Sequence, residues 1–170
     1  MKALPAMGKK SEALALAEAS RGPWTSETDV ASLSEEILLS SGHIDEAFAQ
    51  HAAVANRAGT YLATFRAVAR KYPTKSDTEM LTLLVASTPG DEGKWFAAAK
   101  DAGLYDEAIA LARRRTPTDP RTLARAARDH GDKQPAFALE AALLALEWLA
   151  LGYGYEVTSA DVWAAYLNDA

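Results

Sequence analysis

The chain has 170 residues, a formal net charge of −5 and no cysteine. This length suits one domain, and the lack of cysteine excludes disulfides, thiolate zinc sites and cysteine nucleophiles. Hydrophobic residues make up 49% of the chain, but alanine supplies much of that share, so we expect close helix packing and modest stability. The N-terminus lacks the apolar run of a signal peptide. Together with the missing cysteines, this favours a cytoplasmic protein.

Helical patterns dominate the sequence, and no stretch longer than five residues alternates as a strand. We expect helix N-caps at Thr28, Asp91, Asp119 and Ser159, and turns at Gly42, Gly103 and Gly131. The sequence therefore predicts an all-α protein of about nine to ten helices. The predicted helices lie near residues 9–20, 28–41, 44–56, 58–71, 77–87, 91–102, 104–115, 119–130, 135–151 and 158–168.

The longest apolar stretch, residues 135–152, contains Glu140 and Glu147. Two carboxylates in lipid would cost roughly 2.5 kcal/mol or more each. The stretch is therefore predicted to be a buried helix with both glutamates on one face. We expect no membrane association.

One glycine-led pattern recurs at Gly8, Gly42, Gly103 and Gly131. Each glycine precedes three residues, an acidic residue or proline, an alanine, a large apolar residue and a second alanine. The spacings are 34, 61 and 28 residues, which places one degenerate unit between residues 58 and 90. Such a period is typical of stacked helical hairpins, because each hairpin must bury its apolar face on a neighbour.

The Gly-x-x-Asp-Glu-Ala segments at Gly42 and Gly103 resemble tetratricopeptide or Sel1-like repeats. This resemblance implies a right-handed α-solenoid, with residues 1–170 forming a single repeat domain. Residues 42–170 also resemble an uncharacterised bacterial family of unknown function, whose domain tends to end longer proteins. That resemblance implies no activity and no catalytic residue. It rests on residues 56–73, 87–104, 119–129 and 152–166.

Only seven residues precede Gly8, so the first predicted hairpin lacks most of one helix. Two explanations stay open. The chain is the C-terminal part of a longer solenoid, or it begins here and a partner covers this end, for which a homodimer contact is one option.

No constellation in the sequence predicts catalysis, a metal or a cofactor. The loop over residues 88–95 lacks the early glycine and the Ser or Thr of a P-loop. The three histidines, His43, His51 and His130, form no metal-binding spacing. The adjacent acidic pairs do not face one another on a helix. We therefore expect a protein that is not an enzyme.

The basic residues form the clearest candidate site. Arg121, Arg125 and Arg128 lie at i, i+4 and i+7, so they share one face of the predicted helix over 119–130. Lys94 and Trp95 lie on the first helix of the preceding hairpin. In tetratricopeptide-like stacks such first helices line the concave surface. These five residues are therefore predicted to bind a partner, with an acidic peptide, a phosphate-bearing ligand or nucleic acid as candidates. A solvated helix face, with charge compensation at the helix C-terminus, is the simpler explanation of the arginine stripe.

Charge is segregated along the chain, with net −4 over residues 1–55, +4 over 56–133 and −5 over 134–170. The first hypothesis is a non-catalytic protein–protein interaction module with an unidentified protein partner. The alternative is an adaptor that binds nucleic acid or a phosphate ligand through the basic middle. The overall acidity and the lack of aromatic residues between the arginines disfavour nucleic acid.

Overall fold

The computed structural model of the chain describes residues 10–19, 22, 25–114 and 118–154. These residues contain nine α-helices, one 3-10 turn and no β-strand. The all-α prediction and the predicted number of helices are confirmed. The predicted helix over 158–168, its N-cap Ser159 and the hairpin at Gly8 lie outside the described residues.

The helices closely follow the predicted positions, with small differences at their ends. The predicted helix over 91–102 begins as the 3-10 turn, Glu92–Trp95. The α-helices are α1 (Lys10–Ala19), α2 (Glu27–Ser40), α3 (Ile44–Ala55), α4 (Tyr61–Lys71), α5 (Asp77–Ala86), α6 (Phe96–Asp101), α7 (Tyr105–Ala112), α8 (Pro120–His130) and α9 (Pro135–Ala150).

Side-chain hydrogen bonds set where several helices begin. The predicted N-cap Asp119 accepts a hydrogen bond from the backbone N–H of Thr122 at 3.2 Å. The prediction of Thr28 as an N-cap is wrong, because α2 begins after Ser26. Ser26 Oγ accepts from Asp29 N–H, and the Asp29 carboxylate accepts from the Ser26 N–H in return. This reciprocal capping box satisfies two backbone donors, which a cap at Thr28 would leave unpaired.

A second capping box, formed by Ser76 and Glu79, begins α5. The Glu79 carboxylate accepts from the Ser76 backbone N–H at 2.9 Å and from its hydroxyl at 2.7 Å. These bonds, with a smaller contribution from Lys75, hold the pKa of Glu79 below its usual value, against the opposing effects of desolvation and Asp45.

Replacing Glu79 with glutamine should therefore reduce stability in a pH-dependent way. The folded-state pKa of Glu79 lies below the unfolded-state value, so the carboxylate form favours folding. Its contribution is complete above the unfolded-state pKa and is lost as the pH falls through the folded-state pKa. We expect the stability difference between wild type and Glu79→Gln to shrink between about pH 6 and about pH 3. Urea titrations at each pH measure this difference, and a constant difference would contradict the mechanism.

Contacts divide the chain into two compact units, Met1–Ser87 and Thr88–Ala170. The single repeat domain over residues 1–170 stays a prediction.

In the first unit α2 pairs with α3, α1 packs on α2, and α4 and α5 contact each other and α3. Ala13 and Ala17 of α1 pack on Ile37 of α2. The ring of Phe48 meets the ring of Tyr72 edge-on, with 5.2 Å between centroids. Small residues thus bring the helices close, while the larger rings fill the space between them.

A buried polar network crosses the first unit. Glu35 of α2 has no exposed surface. Its carboxylate accepts hydrogen bonds from the Asn56 amide at 2.7 Å and the Tyr72 hydroxyl at 2.6 Å, and it pairs with the Lys71 ammonium. Burial raises the pKa of Tyr72 far above its usual value, and its hydrogen bond to Glu35 raises it further. The network therefore joins α2 to the ends of α3 and α4.

In the second unit α6 pairs with α7, α8 pairs with α9, and α7 also contacts α9. The rings of Phe96 and Phe137 stack with 6.1 Å between centroids. The Thr118 hydroxyl donates to the Gly93 carbonyl at 2.8 Å and ties the segment before α8 to the 3-10 turn. The pairs α6–α7 and α8–α9 are the helical hairpins of this unit.

Two glycine-led turns have the same geometry. Gly42, with φ +78°, donates its N–H to the Leu39 carbonyl at 3.1 Å, and the next N–H, of His43, donates to Leu38 at 2.9 Å. Gly103, with φ +74°, makes the equivalent bonds at 3.0 and 2.9 Å. Both turns are Schellman motifs, which need a left-handed residue at this position.

Gly131 differs from the other two glycines. It has φ −49° and ψ −46°, which is right-handed helical geometry. The turn to α9 runs over residues 131–134, and it closes where the Gln134 N–H donates to the His130 carbonyl at 2.8 Å. The predicted turn at Gly131 is therefore present, but it needs no left-handed residue, because the longer connection reverses the chain without one.

Candidate partner-binding site

The predicted arginine stripe lies on the outward side of α8. Arg125 and Arg128 are exposed and Arg121 is half-buried, whereas Leu123 and Ala127 on the opposite side are buried. These three arginines therefore share a face, as their spacing indicates.

Part of the charge of this stripe is compensated locally. The Arg128 Nε–H donates to the Asp129 carboxylate at 2.8 Å, and this bond holds the pKa of Asp129 below its usual value. The stripe is thus a solvated helix face with a carboxylate at its C-terminal end.

Lys94 and Trp95, which were predicted to share the site, point to different environments. Trp95 is only 2% exposed, and its Nε1–H donates to the Thr88 hydroxyl at 2.7 Å. The partner-binding prediction for Trp95 is wrong, because the 3-10 turn directs this ring into the core of the second unit. Lys94 is exposed, with its ammonium 2.8 Å from the Asp91 carboxylate. Asp91 is the N-cap residue of the 3-10 turn, as predicted, but its side chain makes this ion pair and no capping hydrogen bond.

An open groove lies between α7 and α9, and the sequence did not predict it. It is called the α7–α9 groove. Its volume is about 530 Å³, within the range of ligand-binding clefts. Its walls combine apolar side chains with carboxylates. The residues that line it are Gly103, Leu104, Tyr105, Asp106, Glu107, Ile109, Arg113, Gln134, Ala136, Phe137 and Glu140.

A second depression of about 480 Å³ continues along α9 and shares Arg113 with the α7–α9 groove. Because the two depressions share Arg113 and are lined by successive turns of α9, the name α7–α9 groove covers both, as its two halves. It is lined by Arg113, Leu143, Leu144, Glu147 and Trp148. At the junction of the two halves, the Arg113 guanidinium pairs with the Glu140 carboxylate and connects the two walls.

The aromatic floor of the groove is held by packing within the second unit. The Tyr105 ring lies 4.8 Å from the Phe137 ring and 5.7 Å from the His130 ring, measured between centroids. His130 Nδ1 lies 3.1 Å from the Ala126 carbonyl oxygen, to which a ring N–H can donate. This contact orients the imidazole at the end of α8.

The two faces of α9 differ, with small buried alanines on the inner face and exposed leucines on the outer face. Ala138, Ala141 and Ala145 are buried on its inner face, so α9 lies close to its neighbours. Its outer face leaves Leu139 and Leu143 39% and 46% exposed. Leucines one turn apart with this exposure form an apolar ridge beside the groove.

The far end of the groove is closed by Trp148. Its Nε1–H donates to the carbonyl of Ala112 at 3.2 Å, which satisfies an acceptor at the C-terminus of α7. Its ring also meets Tyr153 edge-on at 5.3 Å. The α9 wall is therefore anchored to α7 at this end.

Within the described residues, no group of three or more histidines and carboxylates could hold a metal ion. In that same part of the chain, no helix combines the length and hydropathy that spanning a bilayer requires.

No family model, curated protein or solved structure matches this chain. The resemblances to tetratricopeptide repeats and to a bacterial family of unknown function therefore stay predictions.

Proposed function

We propose that the chain is a non-catalytic protein-interaction module whose α7–α9 groove receives a protein partner. The observation that carries this proposal is the groove itself, with the half-exposed Leu143 beside it. Exposed apolar side chains around a concave surface are typical of partner-binding sites. The cysteine-free composition supports a reducing compartment such as the cytoplasm.

We propose further that the hairpins belong to a right-handed, tetratricopeptide-like solenoid. The matching Schellman turns at Gly42 and Gly103 support this arrangement, because in a repeat the second helix of each hairpin must begin at the same angle to the first. Ala47 and Ala108, each five residues after its glycine, are both fully buried. Equivalent positions thus serve equivalent packing roles in the two units.

The alternative function, binding of an anionic ligand, uses the arginine stripe of α8. Its support is the exposed position of Arg125 and Arg128 on one face. The local pairing of Arg128 with Asp129 weakens it. We therefore rank the groove first.

Affinity capture with matched variants tests the proposal. Leu143→Asp places a charge in the groove, and we expect it to reduce capture of the partner at least about tenfold, since a half-exposed apolar side chain available to the partner is replaced by a hydrated carboxylate. Gln50→Asp adds the same charge at an exposed position of α3 and should capture as wild type does. The measurement is quantitative mass spectrometry of proteins captured from the native host.

The stripe is tested in the same experiment by replacing Arg121, Arg125 and Arg128 with alanine together. We expect this variant to retain the partner. If it loses the partner while Leu143→Asp retains it, the anion-binding alternative is correct and the groove proposal fails. A steep loss of binding with added salt would then indicate nucleic acid.

A further inference from the structure

The charges of the groove indicate the chemistry of its partner. Asp106, Glu107, Glu140 and Glu147 supply four carboxylates along its two halves, and Arg113 supplies the one cationic side chain among the lining residues. The guanidinium of Arg113 is itself paired with Glu140. The groove therefore presents an excess of negative charge.

The groove has a net negative charge, whereas α8 has a net positive charge. No lysine or arginine occurs anywhere in residues 134–170, whereas α8 carries three arginines. Basic residues on the partner would be attracted to the groove, and acidic ones would be repelled.

The shape of the groove indicates the conformation of its partner. Its lining along α9 extends from Gln134 to Trp148, a rise of about 21 Å at 1.5 Å per residue. A helix of about four turns fits this length. Such a helix can present apolar anchors at i, i+3, i+4 and i+7 to Leu143, Ile109 and Phe137. Lysine or arginine on its flanks can lay their methylene stems on the walls and reach the carboxylates.

We propose that the α7–α9 groove binds a cationic amphipathic helix of a partner protein, with apolar anchors between the walls and lysine or arginine against the four carboxylates. This inference rests on the proposed function, because it names the chemistry of the partner for the same site.

Two synthetic 14-residue peptides test this proposal with the full chain. Both carry leucine at the same helical anchor positions, and the other positions are lysine in one peptide and glutamate in the other. Fluorescence anisotropy of labelled peptides at low ionic strength measures their affinities. We expect the lysine peptide to bind at least about tenfold more tightly than the glutamate peptide.

Variants then locate the binding surface. Glu107→Gln, Glu140→Gln and Glu147→Gln combined should weaken the lysine peptide at least about fivefold. The matched control replaces Glu12, Glu27 and Glu36, which are exposed in the first unit, with glutamine. It removes the same total charge and should leave the affinity within about twofold, because none of these three side chains lines the groove. Arg113→Gln should strengthen binding of the lysine peptide about twofold or more, because it removes a like charge and releases Glu140.

The other possible outcomes contradict either the docking groove or the cationic partner. If neither peptide binds, the groove is not a helix-docking site and the proposed function fails with it. If the glutamate peptide binds as tightly as the lysine peptide, the cationic partner is wrong while the docking groove stands. If the control triple variant weakens binding as much as the groove triple variant, the attraction is non-specific and the inference fails. If sedimentation instead shows a dimer that Arg125→Ala and Arg128→Ala dissociate, a second copy occupies the groove and the inference also fails.

Discussion

Replacing Glu35 with alanine is expected to lower the free energy of unfolding of the first unit by about 3 kcal/mol. The carboxylate of Glu35 is fully buried and is shared by Asn56, Lys71 and Tyr72. Its loss leaves the hydroxyl of Tyr72, itself only 1% exposed, without this acceptor. The side chain of Lys71 is 38% exposed and can turn to water, so most of the cost arises at Tyr72 and Asn56. Urea unfolding followed by circular dichroism measures the change.

The neighbouring residue provides the matched control. Glu36 lies on the same helix and is exposed, so Glu36→Ala should change the stability by less than about 0.5 kcal/mol. Glu35→Gln keeps one acceptor oxygen for Tyr72 and Asn56, but it removes the charge and replaces the oxygen that faces Lys71 with an amide donor. The free energy of unfolding of Glu35→Gln should therefore lie between those of wild type and Glu35→Ala. Equal losses for the Glu35→Ala and Glu36→Ala variants would show that the network does not stabilise the unit.

Replacing Trp95 with alanine is expected to destabilise the second unit by about 4 kcal/mol. The indole is 2% exposed, and its removal leaves a cavity and abolishes the hydrogen bond to the Thr88 hydroxyl. A loss of this size is a large part of the stability of a typical domain, so the second unit should open more often and unfold at a lower urea concentration than in wild type. The measurement is hydrogen exchange of amides in α8 and α9, with urea unfolding where a folded baseline remains.

Two further variants separate the core role of Trp95 from a surface role. Lys94→Ala alters the adjacent exposed side chain and should cost less than about 0.5 kcal/mol. Trp95→Phe keeps an aromatic ring in the core but removes the N–H donor. Its loss of stability should therefore lie between those of Lys94→Ala and Trp95→Ala. A stable Trp95→Ala variant that only lost partner binding would restore the surface role predicted from the sequence.

The helices of this protein could be predicted from sequence because their causes are local. Proline at the start of α8 and α9 and apolar spacing of 3.6 residues act within a few residues of chain. Gly42 and Gly103 likewise mark turns whose left-handed geometry strongly favours glycine. Gly131 shows the limit of this reasoning, because the same residue in a longer connection has right-handed geometry.

The sites depend on contacts between residues that are distant in sequence. The sequence therefore predicted the sites less well than the helices. Glu35 and Glu36 are identical neighbours, and only the packing of Lys71 and Tyr72 on α2 distinguishes the buried one. The stripe of α8 was predictable because its three arginines share one helix. The groove was not predictable, because Glu107 and Glu140 are 33 residues apart in sequence and line one groove only when α9 packs on α7.

The sequence by itself determined the all-α class, the helix positions, the glycine-led turns and the arginine face of α8, since each follows from the geometry of neighbouring residues. The tertiary structure alone decided that Trp95 is in the core, that Glu35 is buried with three partners, and that an acidic groove opens between α7 and α9. The physical reason is that burial and electrostatic surroundings are properties of packed helices, and a helix does not carry in its own sequence the identity of the helix that packs against it.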